Sequence, residues 1–414
     1  MSDLLKGVRV IESATLFNGD TVGAILGDLG ADVIKIESPF QGDYLRDFLG
    51  QIVPHHSPAH VQVNRQKRSV TLDLRDERGK EAFWKLLATA DIFVDGNIAG
   101  AMDKLGVGYE AQRERKADII YCQYTGYGAD GPYAAIPTHG QMMNALAGAN
   151  PTARGANGRL VPVESDAPMR GLETGGDGTA AGAVHAALHA VAALTQRATT
   201  GEGAFIDVAG PDGVIAQGWI AATYALNYHR IADTRTMPAS GKDGQAKGSR
   251  YEFYETKDGK VVLFCGIEPK FWRNFCLAVD RPDLVGGDPN SGGPVGWGND
   301  PEKEYAELEK IFASRNLADW VALAAERDIP MGPAYRSINE AAEDPHLRTR
   351  GVIHEGEHPA FGAFTYIGEA GKVAGQPYRV RHPAPRLGEH TREILAEVGI
   401  AEAELDELAA EKII

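Results

Sequence analysis

Three short stretches near the N-terminus decide the fold: Val8-Arg9-Val10-Ile11, Val22-Gly23-Ala24-Ile25-Leu26-Gly27-Asp28-Leu29 and Val33-Ile34-Lys35-Ile36. The first and third are β-branched runs of strand length. The middle one has helical spacing and stops at Gly30. Strand, helix and strand at this spacing make a parallel βαβ unit. The pattern continues with a strand at 70–74, a helix at 75–89 and short strands at 92–94 and 119–122. A long helix is predicted over 178–196, with Val184, Ala187, Leu188, Val191 and Leu194 as its apolar stripe. A strand at 205–208 and a helix at 213–227 follow. The expected architecture is α/β, three layers around a parallel sheet.

Beyond about residue 229 the character changes. Residues 237–248 carry no periodicity and read as a mobile loop. Strands at 251–256 and 261–265 flank Lys257-Asp258-Gly259-Lys260, a hairpin signal. Helices at 270–279, 302–314 and 317–326 are interrupted by a Gly/Pro-rich stretch at 286–298. These pieces predict a smaller α+β domain over 229–340. The tail has β-like pieces near 361–367 and helices at 391–398 and 402–412.

The 414 residues are 43% hydrophobic and 24% charged, and the formal net charge is −15. That balance argues against non-specific binding to nucleic acid or acidic membranes, but local basic clusters can still serve a small polyanion. Cys122, Cys265 and Cys276 form no even set and no CxxC pair, so no disulfide framework is expected. The start, Met1-Ser2-Asp3-Leu4-Leu5-Lys6-Gly7, lacks the apolar core of a signal peptide, and no run approaches 18 apolar residues. A cytoplasmic protein without a membrane span is the expectation.

Gly171-Leu172-Glu173-Thr174-Gly175-Gly176-Asp177-Gly178 is the stretch richest in chemistry. The glycines clear side chains from around Asp177, so a large ligand can come close. The helix that follows offers unpaired N–H groups and a positive dipole end, which favour the ionised carboxylate. Such a group suits a nucleophile or proton shuttle, and equally an ordinary N-cap. Glu12–Gly19, after the first strand, is neither GxGxxG nor a P-loop, and no GxSxG is present. His55, His56 and His60 invite a metal, but Pro54 and Pro58 read as loop and no partner cluster lies nearby, so no metal is expected. Lys67 and Arg68, in Asn64-Arg65-Gln66-Lys67-Arg68-Ser69, are a solvated strand entry or a phosphate site. His139 stands in a loop, and Glu268 ends a strand before a helix; each alone reads as structural as readily as functional.

In order along the chain these features resemble a known family. Leu5–Glu12, Leu29–Glu37, Asn64–Asp73, Lys104–Gly108, Gly126–Tyr133, Gln196–Gly203 and Ala384–Thr391 carry the resemblance. The chain is similar to family III CoA-transferases, the superfamily of formyl-CoA transferase, carnitine CoA-transferase and α-methylacyl-CoA racemase. The resemblance implies a Rossmann-like large domain from 1–228 with 341–414 returning to it, and an interlocked homodimer. It implies an acyl-CoA:carboxylate CoA-transferase with Asp177 as nucleophile, working through an aspartyl anhydride and an aspartyl-CoA thioester. His139 and Glu268 are its implied catalytic companions. Backbone N–H groups of the glycine-rich turn would stabilise oxyanions, and residues 240–248 fall where some members carry a lid. Coenzyme A is implied as substrate rather than as a tightly bound cofactor, held near Thr15, Leu16, Lys67, Arg68, Leu72, Ala101 and Lys104. Ser38 stands where an Arg often meets the CoA phosphates, and Gly96–Gly100 replaces a more basic segment. The alternatives are racemase-type proton transfer between His139 and Asp177, and a non-catalytic CoA-binding subunit.

Overall fold

Six strands form one parallel sheet: β1 (Arg9–Ser13), β2 (Asp32–Glu37), β3 (Lys67–Thr71), β4 (Ile92–Asp95), β5 (Ile120–Thr125) and, after the strands of a hairpin, β8 (Ala204–Ala209). The hairpin pairs β6 (Thr152–Arg154) with β7 (Leu160–Pro162). The order β3-β2-β1-β4-β5-β8 reverses direction between β1 and β4, as in doubly wound sheets. The computed structural model describes residues 2–162, 177–240, 246–285, 293–298 and 301–414. The described residues fall into two compact units. One runs to Trp219 and resumes with Arg348–Ile414, and the other comprises Ile220–Leu347.

Both faces of the sheet are buried, which is why its strands read as continuous apolar runs. Ile11, Ile34, Val70, Phe93 and Tyr121 face one core. It is closed by α3 (Glu77–Leu87) and, from the far end of the chain, α15 (Thr391–Glu397) and α16 (Glu402–Ala410). Val10, Val33, Ile92, Val94 and Cys122 face the other core, under α1 (Asn18–Asp28) and α7 (Gly178–Thr200). Shorter helices lie between: α2 (Pro58–Val63), α4 (Ala101–Lys104), α5 (Tyr109–Arg115) and α6 (Gly140–Leu146).

The structure corrects several readings. The third strand begins at Lys67, not residue 70, so the basic cluster enters the sheet. Ser57 caps α2 through His60 N–H, so Pro58 opens a helix at N1 and His60 is not in a loop. The predicted helix 213–227 breaks at Gly218 into α8 (Gly210–Gln217) and α9 (Trp219–Asn227). In α7 the buried face is Ala181, Gly182, Ala183, Ala186, Ala187, Ala190 and Ala193, whereas Val184 and Leu188 point outward. This 23-residue helix is long and apolar enough by composition to cross a membrane. Its small-residue face is taken up by α1, α8 and the sheet.

In the second unit β11 (Tyr251–Glu255), β12 (Val261–Cys265) and β13 (Met331–Ala334) form an antiparallel sheet. α10 (Pro269–Ala278), α11 (Pro301–Phe312) and α12 (Leu317–Arg327) cover it around Phe264, Phe275, Phe312 and Trp320. Ala239–Ser240 and Ala246–Lys247 pair as the two-residue strands β9 and β10. The rest of the expected lid, 241–245, lies outside the described residues, as does 286–292 of the Gly/Pro-rich stretch. Helices α13 (Ile338–Ala342) and α14 (Pro345–Arg350) precede the hairpin of β14 (Ile353–His358) and β15 (Gly362–Ile367).

Candidate active site

Where strand order reverses, the loops after β1 and β4 diverge and leave a crevice at the carboxyl ends of the strands. A cavity of about 410 Å³ opens there. Thr15 and Leu16 follow β1, Asn97 follows β4, and Thr125–Tyr127 end β5; all line it with Ile136–Gly140, Met143 and Thr179. A second cavity of about 610 Å³ shares Thr15 and Asn97 and runs past Ser38, Phe40, Leu72 and Arg75. Phe40, Tyr44, Phe48, Ile98 and Ile136 leave apolar surface exposed around the two. Volumes of this order suit a large organic ligand.

The loop wall is held from below by buried charge. Lys35 extends from β2 to Asp20 of α1, to Asp43 at 2.9 Å and to the Ala14 carbonyl at 3.1 Å. Asp43 Oδ1 accepts the Leu16 and Leu45 N–H groups at 3.1 and 2.9 Å. Leu16 is thereby fixed at φ 63°, a left-handed conformation that costs an ordinary residue about 1 kcal/mol. Burial alone would raise Asp43, but Lys35, Asp20 and the Leu45 amide outweigh it and hold the carboxyl well below the usual range. For Asp20 burial wins over Lys35 and Lys67, and its carboxyl is pushed well up.

Lys67 belongs to this layer, which corrects its expected role as a phosphate ligand. Its ammonium is wholly buried, 2.9 Å from Glu12 Oε1, 2.8 Å from the Asp20 carbonyl and 3.1 Å from Asn64 Oδ1. Arg68 is also engaged elsewhere, with Asp32 at 2.7 Å and Glu397 of α15 at 2.6 Å. Its guanidinium fastens the C-terminal segment to the sheet edge. A compact run of cations in sequence resembles a surface patch, but strand alternation sends its members in different directions.

Of the remaining expected contacts, Thr15, Leu16 and Ala101 line the first cavity, and Thr15 and Leu72 the second. Lys104 is exposed at the end of α4 and lines neither. The sequence reading passed over Arg75, which lines the second cavity with its guanidinium 5.3 Å from the Phe40 ring centre. Its signal was present: a cation two residues after Asp73, in the turn leaving β3. Asp73 holds it by two bonds of 2.8 and 3.0 Å. Asn97 was passed over too; Asp95 fixes it, accepting its backbone and side-chain N–H groups at 2.9 Å each.

Asp177 is the exposed N-cap of α7, and its Oδ1 accepts the Thr179 N–H at 2.9 Å. Among the described residues its second oxygen has no hydrogen-bond partner. Residues 171–176 of the glycine-rich stretch lie outside the described residues. Of the glycine-rich turn expected to stabilise oxyanions, the Gly178 N–H is already engaged, donating to Asn144 Oδ1 at 2.8 Å, and the Thr179 N–H beyond the turn goes to Asp177 itself. His139 is the exposed N-cap of α6 and lines the first cavity. The residue after His139 approaches the start of α7: a Cβ added at Gly140 would lie 3.4 Å from Thr179 Oγ1. Glu268, in the other unit, precedes α10 as a half-buried N-cap whose carboxylate makes no capping bond. Among the described residues no three His, Cys, Asp or Glu are grouped to hold a metal ion.

Comparison with known proteins bears on this crevice. The description of CoA-transferase family III matches residues 5–391. Human succinyl-CoA:glutarate CoA-transferase is 31% identical over 398 residues, spanning 95% of this chain and 86% of that protein. Formyl-CoA:oxalate CoA-transferase of Rhodopseudomonas palustris (strain BisA53) is 29% identical, spanning 96% of this chain and 94% of that one. A CAIB/BAIF family protein from Brucella suis superposes with a TM-score of 0.69 at 25% identity, over 96% of this chain and all of that one. Taken with a crevice sized for a large ligand and a reachable aspartate beside it, the match over nearly the whole length leads to one assignment: the chain belongs to CoA-transferase family III and is a CoA-transferase.

Proposed function

We propose that the protein moves coenzyme A from an acyl-CoA to a free carboxylic acid with Asp177 as nucleophile. The observation that carries this reading is the exposed Asp177 carboxylate, which caps α7 with one oxygen and, among the described residues, has no partner for the other. The free oxygen attacks the donor thioester carbonyl, the C–S bond breaks and CoA thiolate leaves, forming a mixed anhydride. The thiolate attacks the aspartyl carbonyl, releases the donor acid and forms an aspartyl-CoA thioester. The acceptor carboxylate displaces the thiolate to give a second anhydride. The thiolate then takes the new acyl group and frees Asp177. No net proton is needed, and one difficult exchange is divided into easier steps.

Coenzyme A spans the two joined cavities in this reading, with Arg75 and the exposed Lys104 as the cations for its phosphates in place of Lys67 and Arg68. Glutarate and oxalate in the relatives' names make dicarboxylic acids the first acceptors to try. The chain is a homodimer in this reading. Support comes from α9, an apolar helix with no buried residue, and from outward-facing Val184, Leu188, Trp219, Tyr224 and Leu226. Large apolar side chains left uncovered in this number are what a partner surface buries.

The test is mass spectrometry after incubation with a panel of acyl-CoAs, where a CoA adduct is expected on the Asp177 peptide. Full transferase activity in Asp177→Ala would overturn the mechanism. A second reading, proton exchange between His139 and Asp177, draws on the closeness of Gly140 to Thr179. It predicts deuterium uptake at the α-carbon of a 2-methylacyl-CoA in D₂O without an acceptor acid, and no uptake removes it.

A further inference from the structure

We propose that Asn144 and Tyr124 are positioning residues for the Asp177 carboxylate, holding the Gly178 peptide from both of its ends. The proposal rests on the reading of Asp177 as nucleophile. Neither residue stands out in the sequence, since an Asn in a helix and a Tyr in a strand are commonplace.

The geometry is a clamp around one residue. Asn144, on α6, accepts the Gly178 N–H through Oδ1 at 2.8 Å. Tyr124, wholly buried on β5, points its one hydroxyl hydrogen at the Gly178 carbonyl at 2.7 Å, with the Thr179 carbonyl sharing it at 3.1 Å. First-turn N–H groups of a helix ordinarily go to a cap or to water, whereas its carbonyls are used within the helix. Here a side chain from a different element takes the N–H, and a buried phenol adds one donor shared between two successive carbonyls. Burial, and after it the negative Asp177, push the Tyr124 hydroxyl up, so it stays a donor at every physiological pH.

Gly178 is required by this closeness. A Cβ there would stand 2.8 Å from Met143 Cβ and 3.1 Å from Asn144 Oδ1. Any larger residue would push α6 away and break the Asn144 bond. The carboxylate of Asp177 is oriented through the next two peptides, because its Oδ1 rests on the Thr179 N–H. Fixing the planes of 178 and 179 therefore fixes the direction of the attacking oxygen.

The clamp also joins two walls of the site. α6 begins at His139 and presents Gly140 and Met143 to the first cavity, and one turn later it presents Asn144 to the Asp177 turn. A ligand seated against α6 thus bears on the nucleophile's orientation. A misplacement of about 1 Å in a reacting group can cost on the order of 100-fold in rate, so a partial loosening is expected to cost about tenfold.

The experiment compares Asn144→Ala, Tyr124→Phe and Asp177→Ala in the full-length protein. Each is measured for kcat, for the KM of acyl-CoA, for the rate of CoA adduct formation on the Asp177 peptide and for melting temperature. Expected results are a fall of about tenfold in kcat and adduct rate for Asn144→Ala and Tyr124→Phe, with KM within about twofold. Asp177→Ala should form no adduct. If Asp177→Ala is inactive while both clamp variants keep wild-type kcat, the clamp is refuted and the nucleophile stands. If KM rises while kcat and melting temperature fall, the two residues serve general packing and the clamp is again refuted. If Asp177→Ala remains active, the underlying reading fails instead. Should Asn144→Ala not fold, the isosteric Tyr124→Phe decides alone.

Discussion

Asp20 and Asp177 occupy nearly the same station, the first turn of a helix packed on one face of the same sheet. Their surroundings are opposite. Asp20 is wholly buried, bonded to Lys35 and at 3.1 Å to Asn64, and burial pushes its carboxyl well up. Asp177 is exposed and, among the described residues, bonded only to the amide it caps. A carboxylate with all its lone pairs committed inside the protein can bind structure together but cannot attack anything. A carboxylate with one oxygen tied and one uncommitted keeps both orientation and reach. Both stand at the start of a helix, so burial is what separates the structural aspartate from the one proposed to attack.

The comparison breaks most sharply at Asp177 itself. Asn caps helices about as well as Asp, so Asp177→Asn should keep the fold, with a melting temperature within about 2 °C of wild type. Exchange activity should drop by about 10³-fold or more, because the amide is no nucleophile. An active Asp177→Asn enzyme would make the residue a cap and nothing else.

Lys67→Met probes the buried partner set. Removing one member of a buried ion pair costs about 3–5 kcal/mol, because Glu12 is left with only its longer contact of 3.4 Å to Lys35. A denaturant titration should show that loss, whereas a phosphate-binding role would show a raised KM for acyl-CoA with stability intact.

Arg75→Ala should behave in the reverse way. Its ion pair with Asp73 is exposed, so stability should change by less than about 1 kcal/mol. The KM for acyl-CoA should rise about fivefold to tenfold, as expected when a charge-assisted phosphate contact is lost. An unchanged KM would remove Arg75 from the ligand path.

The smallest effect is with pH. Burial lowers His60 well below its ordinary value, with Arg46 adding to it, and His354, His358 and His390 are lowered by burial too. Below pH 6.5 the unfolded chain takes up protons that the folded chain refuses. Stability is therefore full above that pH and declines as the pH falls through it, by up to about 1.4 kcal/mol per pH unit for the buried His60. Melting curves between pH 7.5 and 5.5 should show the decline, and His60→Gln should flatten it.

Much of this was legible in the chain. The strands of the parallel sheet announce themselves because both faces are buried, so Val10-Ile11, Val33-Ile34 and Ile92-Phe93-Val94 are apolar without alternation. The hairpin around Asp258-Gly259 and the helices covering it follow from turn chemistry and periodicity. The stripe of α7 was misjudged because hydrophobic periodicity weighs large residues, whereas this helix packs through small ones. An added Cβ at Gly182 would lie 2.4 Å from the Tyr124 ring, so the close approach leaves no room for side chains, and Val184 and Leu188 turn outward.

By itself the sequence determined the α/β class and the family, because these rest on local pattern and on ordered motifs, and it put forward Asp177 as the proposed nucleophile. Tertiary structure alone decided which charges are reachable. Lys67 and Arg75 are eight positions apart and of one sign, and Lys67 ends under β1 while Arg75 ends beside an open cavity. Solvent access and pairing depend on what the rest of the chain brings alongside, from Glu12 to Glu397, and no window of sequence contains those distances. The same holds for Gly178, whose grip by Asn144 and Tyr124 joins three elements far apart in the chain.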